Sequence, residues 1–311
     1  MKRVKAIPPY LHPEYLNFKM SAYQAWRKVG GQVAKAHYPF RALHGLFFRY
    51  EFPTIWKGRK EARLRFVEPI SLSFDTFPDY ARYEIIPFMW DCWPCYFERV
   101  CTWFKKHKVR TAIFTSSQTA NQMRKCFPEM NIMHCPEGIN ISNYIEGKPL
   151  VKREIDLLEF GRSNDKVVKI TLPESRKHVC TKVGGSYVFT NEQLYAVMGD
   201  AKVTIALPRN ITEPQKAGDI ETLTQRYWEN MLSRIVMVGH APKELVELIG
   251  YNPVVEMDCK NPCKQILDIL DHIDRFQELV DRNRAIALQK SDWTSRMKQV
   301  MDFLKDCGYK V

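Results

Sequence analysis

The chain has 311 residues, 45% of them hydrophobic and 26% charged, with a formal net charge of +12. That length exceeds one typical domain of roughly 100–200 residues, and the composition is that of a folded globular chain rather than a disordered or fibrous one. No apolar run approaches the ~20 residues that span a bilayer, and the start runs into Pro8 and Pro9 instead of a signal-peptide core, so a cytoplasmic chain is expected.

Residues 1–70 carry most of that net charge. Lys2, Arg3, Lys5, Arg27, Lys28, Arg41, Arg49, Lys57, Arg59, Lys60, Arg63 and Arg65 face only Glu14, Glu51, Glu61 and Glu68. An anionic neighbour is expected there: a phosphate-bearing ligand, the anionic inner face of a membrane, or nucleic acid. Nucleic acid is not expected as a partner, because no RRM, KH or helix-turn-helix pattern accompanies the charge. The aromatics Trp26, Phe40, Phe47, Phe48 and Trp56 read either as core residues or as a membrane-facing patch. A helix is expected over about 20–35.

From Tyr83 onward strand-like and helix-like segments alternate. Residues 83–90 are an apolar strand, and 96–107 are a helix carrying Phe97, Val100, Cys101 and Phe104 at helical spacing. Then come a strand over 111–116, a helix from Ser117 through Cys126, a strand over 131–135 and a turn at Pro136-Glu137-Gly138. This grammar calls for a parallel sheet with crossover helices. Asp91 ends the first of these strands, where its carboxylate is placed either to orient and deprotonate an acceptor hydroxyl or to cap the next helix. Cys92 and Cys95 beside that helix have the layout of a thioredoxin-like redox pair, but the Pro-containing loop that should face them is missing. Nine cysteines, an odd number without a secretion signal, read as reduced thiols. Neither the Cys92/Cys95 pair nor Cys259/Cys263 finds a second pair for a four-ligand zinc site.

The polar stretch 140–153 reads as a connector, after which the alternation restarts. Strands are expected over 155–160, 167–172, 202–207, 234–238 and 253–257, with helices over 191–198, 221–232 and 242–249. From about Pro262 the chain is helical, with a break near Ser291-Asp292. In an open α/β sheet ligands meet the carboxyl ends of the strands, here the loops after Phe160, Leu207 and Val238. Arg162 and Lys166 follow the first of these strands and suit a diphosphate. Thr222 or Thr224 can cap a helix whose free N–H groups, through Leu223, favour a phosphate. Glu221 and Glu229 stand eight residues apart, ~12 Å by helical rise if the stretch is helical throughout. Trp228, Met231 and Leu232 define the buried face of that helix.

On these residues the sequence resembles the GT-B glycosyltransferases of the group-1, family 4-like type. Their Glu-x7-Glu motif is matched by Glu221 and Glu229, and their diphosphate-binding Arg and Lys by Arg162 and Lys166. Pro136-Glu137-Gly138-Ile139-Asn140 is similar to their Pro-Asn-Gly-Val-Asp element, and Asp281-Arg282-Asn283 through Trp293 and Arg296 to their C-terminal helices. Thr222 and Thr224 stand where the family has glycines, and Glu213 is an alternative first Glu.

The resemblance implies an α/β fold of two Rossmann-like domains whose parallel sheets face a central cleft, the N-terminal one shortened. It divides the chain into an acceptor domain over 1–145, a nucleotide-sugar domain over 154–290 and a helix over 291–311 that packs back on the first. Asp91 and Glu221 become the catalytic candidates, and Arg162, Lys166, Thr222, Leu223, Thr224 and Glu229 the donor-binding ones. The implied activity is a hexosyltransferase moving sugar from a nucleotide-sugar donor to a saccharide or lipid-linked saccharide acceptor in surface polysaccharide synthesis. No cofactor or metal is expected beyond the nucleotide-sugar substrate. The alternatives are a redox protein using Cys92 and Cys95, or a basic nucleic-acid-binding protein.

Overall fold

The computed structural model describes residues 1–9, 18–35, 60–161 and 167–311, apart from 184, 185 and 188. They divide into two compact units, residues 1–138 with 216–220 and 293–311, and residues 139–215 with 221–292. Both are α/β units built on parallel sheets. No helix among the described residues is long and apolar enough to cross a membrane.

In the first unit the sheet order is Tyr309–Lys310, Lys2–Ile7, Glu61–Val67, Glu84–Met89, Thr111–Phe114 and Asn131–His134, parallel throughout. Glu84–Met89 is buried along its whole length, as a strand covered on both faces must be. Its one carboxylate, Glu84, is held by Lys2 and by the Tyr309 hydroxyl at 2.6 Å, and that hydroxyl also lies 2.9 Å from Thr111 Oγ1. The edge strand Tyr309–Lys310 is thereby tied to the middle of the sheet by side-chain hydrogen bonds as well as by its ladder. Ser116 caps helix Ser117–Cys126, its Oγ accepting from the Thr119 N–H at 3.3 Å. Helix Trp293–Asp306 buries Trp293, Met297, Val300 and Leu304, one helical stripe, in a core shared with Ala22, Ala25 and Trp26 of helix Phe18–Lys28. That first helix is shorter than the expected 20–35, because Gly30 and Gly31 follow and do not favour its continuation.

Several cations of residues 1–70 have acidic partners, some from beyond residue 70. Lys5 and Arg63 share Glu61 at 2.6 and 2.8 Å, Lys19 meets Glu68 at 3.0 Å, and Arg65 meets Asp79 at 3.2 Å. Trp26 is a core residue whose indole N–H donates to the Gln32 carbonyl at 2.9 Å. Phe40, Phe47, Phe48, Trp56, Arg41, Arg49, Lys57 and Arg59 lie outside the described residues.

In the second unit the sheet order is Val255–Glu256, Val236–Gly239, Ala201–Ala206, Ile155–Glu159 and His178–Cys180, again all parallel. The expected strand over 167–172 does not form. Val168 and Ile170 are buried on Leu157 and Val203 from an irregular segment, and His178–Cys180 takes the edge instead. Helix Asn191–Met198 starts on a capping box in which the Thr190 hydroxyl accepts from the Gln193 N–H and the Gln193 side chain returns to the Thr190 N–H. The expected helix over 221–232 is shorter: it runs Gln225–Leu232, and Glu221 through Thr224 are not helical. Trp228, Met231 and Leu232 are fully buried, as their spacing predicts.

Candidate functional site

In chain order the strands of the second sheet stand 2-1-3-4-5, so the winding direction reverses between Ile155–Glu159 and Ala201–Ala206. A reversal of this kind sends the crossovers to opposite faces of the sheet, and the carboxyl ends of the strands on either side of it are the usual ligand position in an open α/β sheet. Gly161, at φ +74°, lies just past the first strand, and a Cβ there would stand 2.7 Å from Arg226 Nη2. The Arg226 guanidinium lies 5.7 Å from the centre of the Phe160 ring. A cation from the first turn of helix Gln225–Leu232 thus reaches the reversal point. Arg162 and Lys166, the expected diphosphate ligands, lie outside the described residues.

One turn further along the helix, Glu229 Oε1 accepts from the Tyr144 hydroxyl at 2.9 Å, and the Tyr144 ring packs edge-on against Tyr195 at 4.9 Å. Burial raises the Glu229 pKa above its ordinary value, opposed by the Tyr144 hydrogen bond and by the Arg226 charge. Burial also raises the Tyr144 pKa, so that side chain stays a neutral donor to the carboxylate.

Glu221 occupies a different environment. Its Oε2 accepts from the Lys243 N–H at 3.2 Å, at the first residue of helix Lys243–Ile249, where the helix dipole favours an anion. Its Oε1 lies 3.4 Å from His240 Nε2, while His240 Nδ1 lies 3.1 Å from Glu256 Oε2. The His240 carbonyl accepts from the Tyr227 hydroxyl at 2.7 Å, which fixes this residue immediately beyond strand Val236–Gly239. The imidazole is therefore set between two carboxylates at the carboxyl edge of the sheet.

The segment between the glutamates is packed inward. Thr222 and Leu223 are buried, and the Leu223 N–H donates to the buried Glu244 carboxylate at 3.0 Å, so it is not among the N–H groups left to a phosphate. Thr224 stands at the N-cap of helix Gln225–Leu232, and its hydroxyl makes no capping bond. Because residues 221–224 are not helical, the helical-rise spacing of the two glutamates does not apply.

Asp91 belongs to the first unit. It stands two residues past strand Glu84–Met89 with φ +48°, a conformation that a short polar side chain tolerates, and its carbonyl accepts from the Trp93 N–H at 2.8 Å. It is not the cap of the next helix, which is Trp93. Cys92 is buried in an apolar cluster, and burial pushes its thiol pKa well up, against the low-pKa thiolate that a redox nucleophile needs. Arg226, His240 and Glu256 belong to the site without matching any motif residue of the sequence. Arg226 sits inside the Glu221 to Glu229 interval, so the interval itself was the available signal for it. His240 and Glu256 carry no spacing signal and meet only through strand pairing.

The two parallel-sheet units, with the reversal in the second sheet, give the chain the α/β GT-B fold of the glycosyltransferase structures to which it is similar. Among solved structures the chain is similar to sucrose-phosphate synthase from Thermosynechococcus elongatus, at 12% identity and a TM-score of 0.62 over 99% of each chain. It is similar also to HepE from Anabaena in complex with UDP-glucose, at 9% identity and a TM-score of 0.61 over 98% of this chain and 100% of that one. The likeness to TarM, at 10% identity and a TM-score of 0.53, takes in 78% of this chain and 54% of that one, about half its length. No protein-family model matches the sequence, and no curated protein sequence matches it.

Proposed function

We propose that this chain is a glycosyltransferase, of hexosyltransferase type, that moves a sugar from a nucleotide-sugar donor to a saccharide or lipid-linked saccharide acceptor in surface polysaccharide synthesis. The observation that carries the reading is the set of side chains at the carboxyl edge of the second sheet. Arg226 reaches the reversal point, Glu229 stands one turn behind it, and Glu221 with His240 flanks it at the next loop. HepE, which shares the fold, was solved with UDP-glucose, the donor class proposed for this chain.

Arg226, with Arg162 and Lys166, neutralises the donor diphosphate, and Glu229 accepts from the ribose hydroxyls. Glu221, backed by His240, contacts the donor sugar. Thr222, Leu223 and Thr224 shape the wall between the two glutamates. Asp91, on the first unit, is the candidate base for the proton of the acceptor hydroxyl; in the transfer the acceptor oxygen bonds the anomeric carbon and the nucleoside diphosphate leaves. The cations stabilise the charge that grows on the leaving group, a role that asks for neither metal nor cofactor. The reading places the enzyme in the cytoplasm, at the anionic inner face of a membrane. The excess of cations over residues 1–70 supports that placement.

The test incubates the protein with a panel of nucleotide sugars and saccharide or lipid-linked acceptors, measuring nucleoside diphosphate release and product mass. One donor should release nucleoside diphosphate only when an acceptor is present. Arg226→Ala should lower kcat/KM for that donor by about 10- to 100-fold, the worth of one charge-assisted phosphate contact. No release with any donor, or an Arg226→Ala variant as active as the wild type, contradicts the reading.

A further inference from the structure

At the edge of the second sheet lies a group of side chains that the transfer reaction does not use. Strand His178–Cys180 pairs in parallel with Ile155–Glu159, in a register that sets His178 opposite Leu157 and Cys180 opposite Glu159. Alternation along a strand and pairing across it put Glu159, His178 and Cys180 on one face. His178 Nε2 lies 3.0 Å from Glu159 Oε1 and 3.5 Å from Cys180 Sγ, and the three ligand atoms all lie within 4.8 Å of one another.

The two His178 separations are close to the edges of a metal coordination tetrahedron, and the Glu159–Cys180 separation is bounded at 4.8 Å. With zinc–nitrogen and zinc–oxygen bonds of about 2.1 Å and a zinc–sulfur bond of about 2.3 Å, tetrahedral angles put nitrogen and oxygen about 3.4 Å apart and sulfur and nitrogen about 3.6 Å apart. A cation therefore enters with shifts of a few tenths of an ångström on those two edges. Thiolate, imidazole and carboxylate together select a borderline-soft divalent ion over magnesium or calcium.

We propose that Glu159, His178 and Cys180 bind a divalent cation of the zinc class through Oε1, Nε2 and Sγ, with a fourth position open to water or an exogenous ligand. Binding exchanges the Cys180 thiol proton for the metal, so that one proton is released per ion bound at neutral pH. The ion fastens a three-residue edge strand to the strand that leads into the reversal point. It takes no step in sugar transfer, and the inference does not rest on that reading. The sequence hid this site because its ligands form no Cys-x2-Cys pair: Glu159 and His178 are 19 residues apart and meet only through the strand register.

The test strips the protein with a chelator and titrates it with Co2+, then with Zn2+, following absorbance. One equivalent of Co2+ should give a near-ultraviolet sulfur-to-cobalt charge-transfer band with visible d–d bands, and one equivalent of Zn2+ should abolish both. Cys180→Ser should lose the charge-transfer band, and His178→Ala should weaken Co2+ binding by at least about 10-fold, with circular dichroism checking the fold of each. Cys92→Ser with Cys95→Ser should keep the band, and excess Mg2+ should not displace the ion. Absence of the band at one equivalent, or its persistence in Cys180→Ser, overturns the proposal. Should Cys180→Ser misfold, a His178→Ala variant that binds Co2+ as tightly as the wild type overturns it instead.

Discussion

Glu229 is held in a place where its ionised form is disfavoured. Its folded pKa lies above the ordinary 4.5 because burial outweighs the Tyr144 hydrogen bond and the Arg226 charge. Below 4.5 both folded and unfolded chains carry the proton, and the residue makes no pH-dependent contribution. As pH rises toward the folded pKa, the unfolded chain ionises first, so stability falls across that window and then levels off. Glu229→Gln keeps an acceptor for the Tyr144 hydroxyl and removes the charge. It should raise the melting temperature at pH 8 by a few degrees, about 2–4 °C per kcal/mol for a unit of this size, with the gain shrinking toward pH 4.5. Melting curves across that range check this, and a gain that does not change with pH contradicts it. A carboxylate kept despite such a cost is what a ligand-binding role would explain. Gly161 is the second informative position. Gly161→Ala meets both the left-handed backbone and Arg226, so it should displace the guanidinium and weaken nucleotide-sugar binding by about 10-fold or more, measured by titration calorimetry.

Helix Gln225–Leu232 is only eight residues long, too short to persist on its own propensity, so its packing must hold it. Trp228, Met231 and Leu232 supply that packing, each with no exposed surface. Trp228→Ala should cost about 3–5 kcal/mol in chemical denaturation, the range for a large buried side chain left as a cavity. Gly239 acts on the neighbouring strand: a Cβ there would stand 2.0 Å from the Ala206 carbonyl oxygen, so Gly239→Ala must push the central strands apart or fail to fold. The elements that could be read from the sequence were those set by local chemistry. Helix Asn191–Met198 follows from the Thr190 to Gln193 capping box, and the break before helix Trp293–Asp306 falls at Ser291-Asp292. The failures were tertiary. Glu244 ties the Leu223 N–H and Thr222 is buried, so the helix starts at Gln225 rather than Glu221. Val168 and Ile170 keep the alternating burial of a strand yet pair with none, while a three-residue edge strand is too short to show any period.

At the scale of the molecule the chain does not keep its units contiguous. Residues 216–220 belong to the first unit, where Ala217 and Ile220 pack with Trp93 and the Asp219 carbonyl accepts from Gln118 at 3.2 Å. The next residue, Glu221, already belongs to the second unit. Helix Trp293–Asp306 and strand Tyr309–Lys310 likewise belong to the first unit, whose core is incomplete without them. Deleting residues 292–311 should therefore leave the first unit sensitive to limited proteolysis, and protection equal to that of the full chain contradicts this. The summed charge was readable from composition, but its distribution was not. Glu84 and Asp79, both beyond residue 70, hold Lys2 and Arg65, which counting charges over 1–70 cannot show. Nor could the sequence show that His240 stands between Glu221 and Glu256, because those three meet only once the strands are in register.

The central claim, that the carboxyl edge of the second sheet holds a nucleotide sugar, is tested most directly by a thermal-shift panel of sugar nucleotides on the wild type, Glu229→Gln and Arg226→Ala. At about 100 times the dissociation constant a ligand stabilises by about 2.7 kcal/mol, well within detection. At least one nucleotide sugar should raise the wild-type melting temperature, with a smaller shift in Glu229→Gln and a smaller one still in Arg226→Ala. No shift with any nucleotide sugar, or equal shifts in all three proteins, would contradict the account.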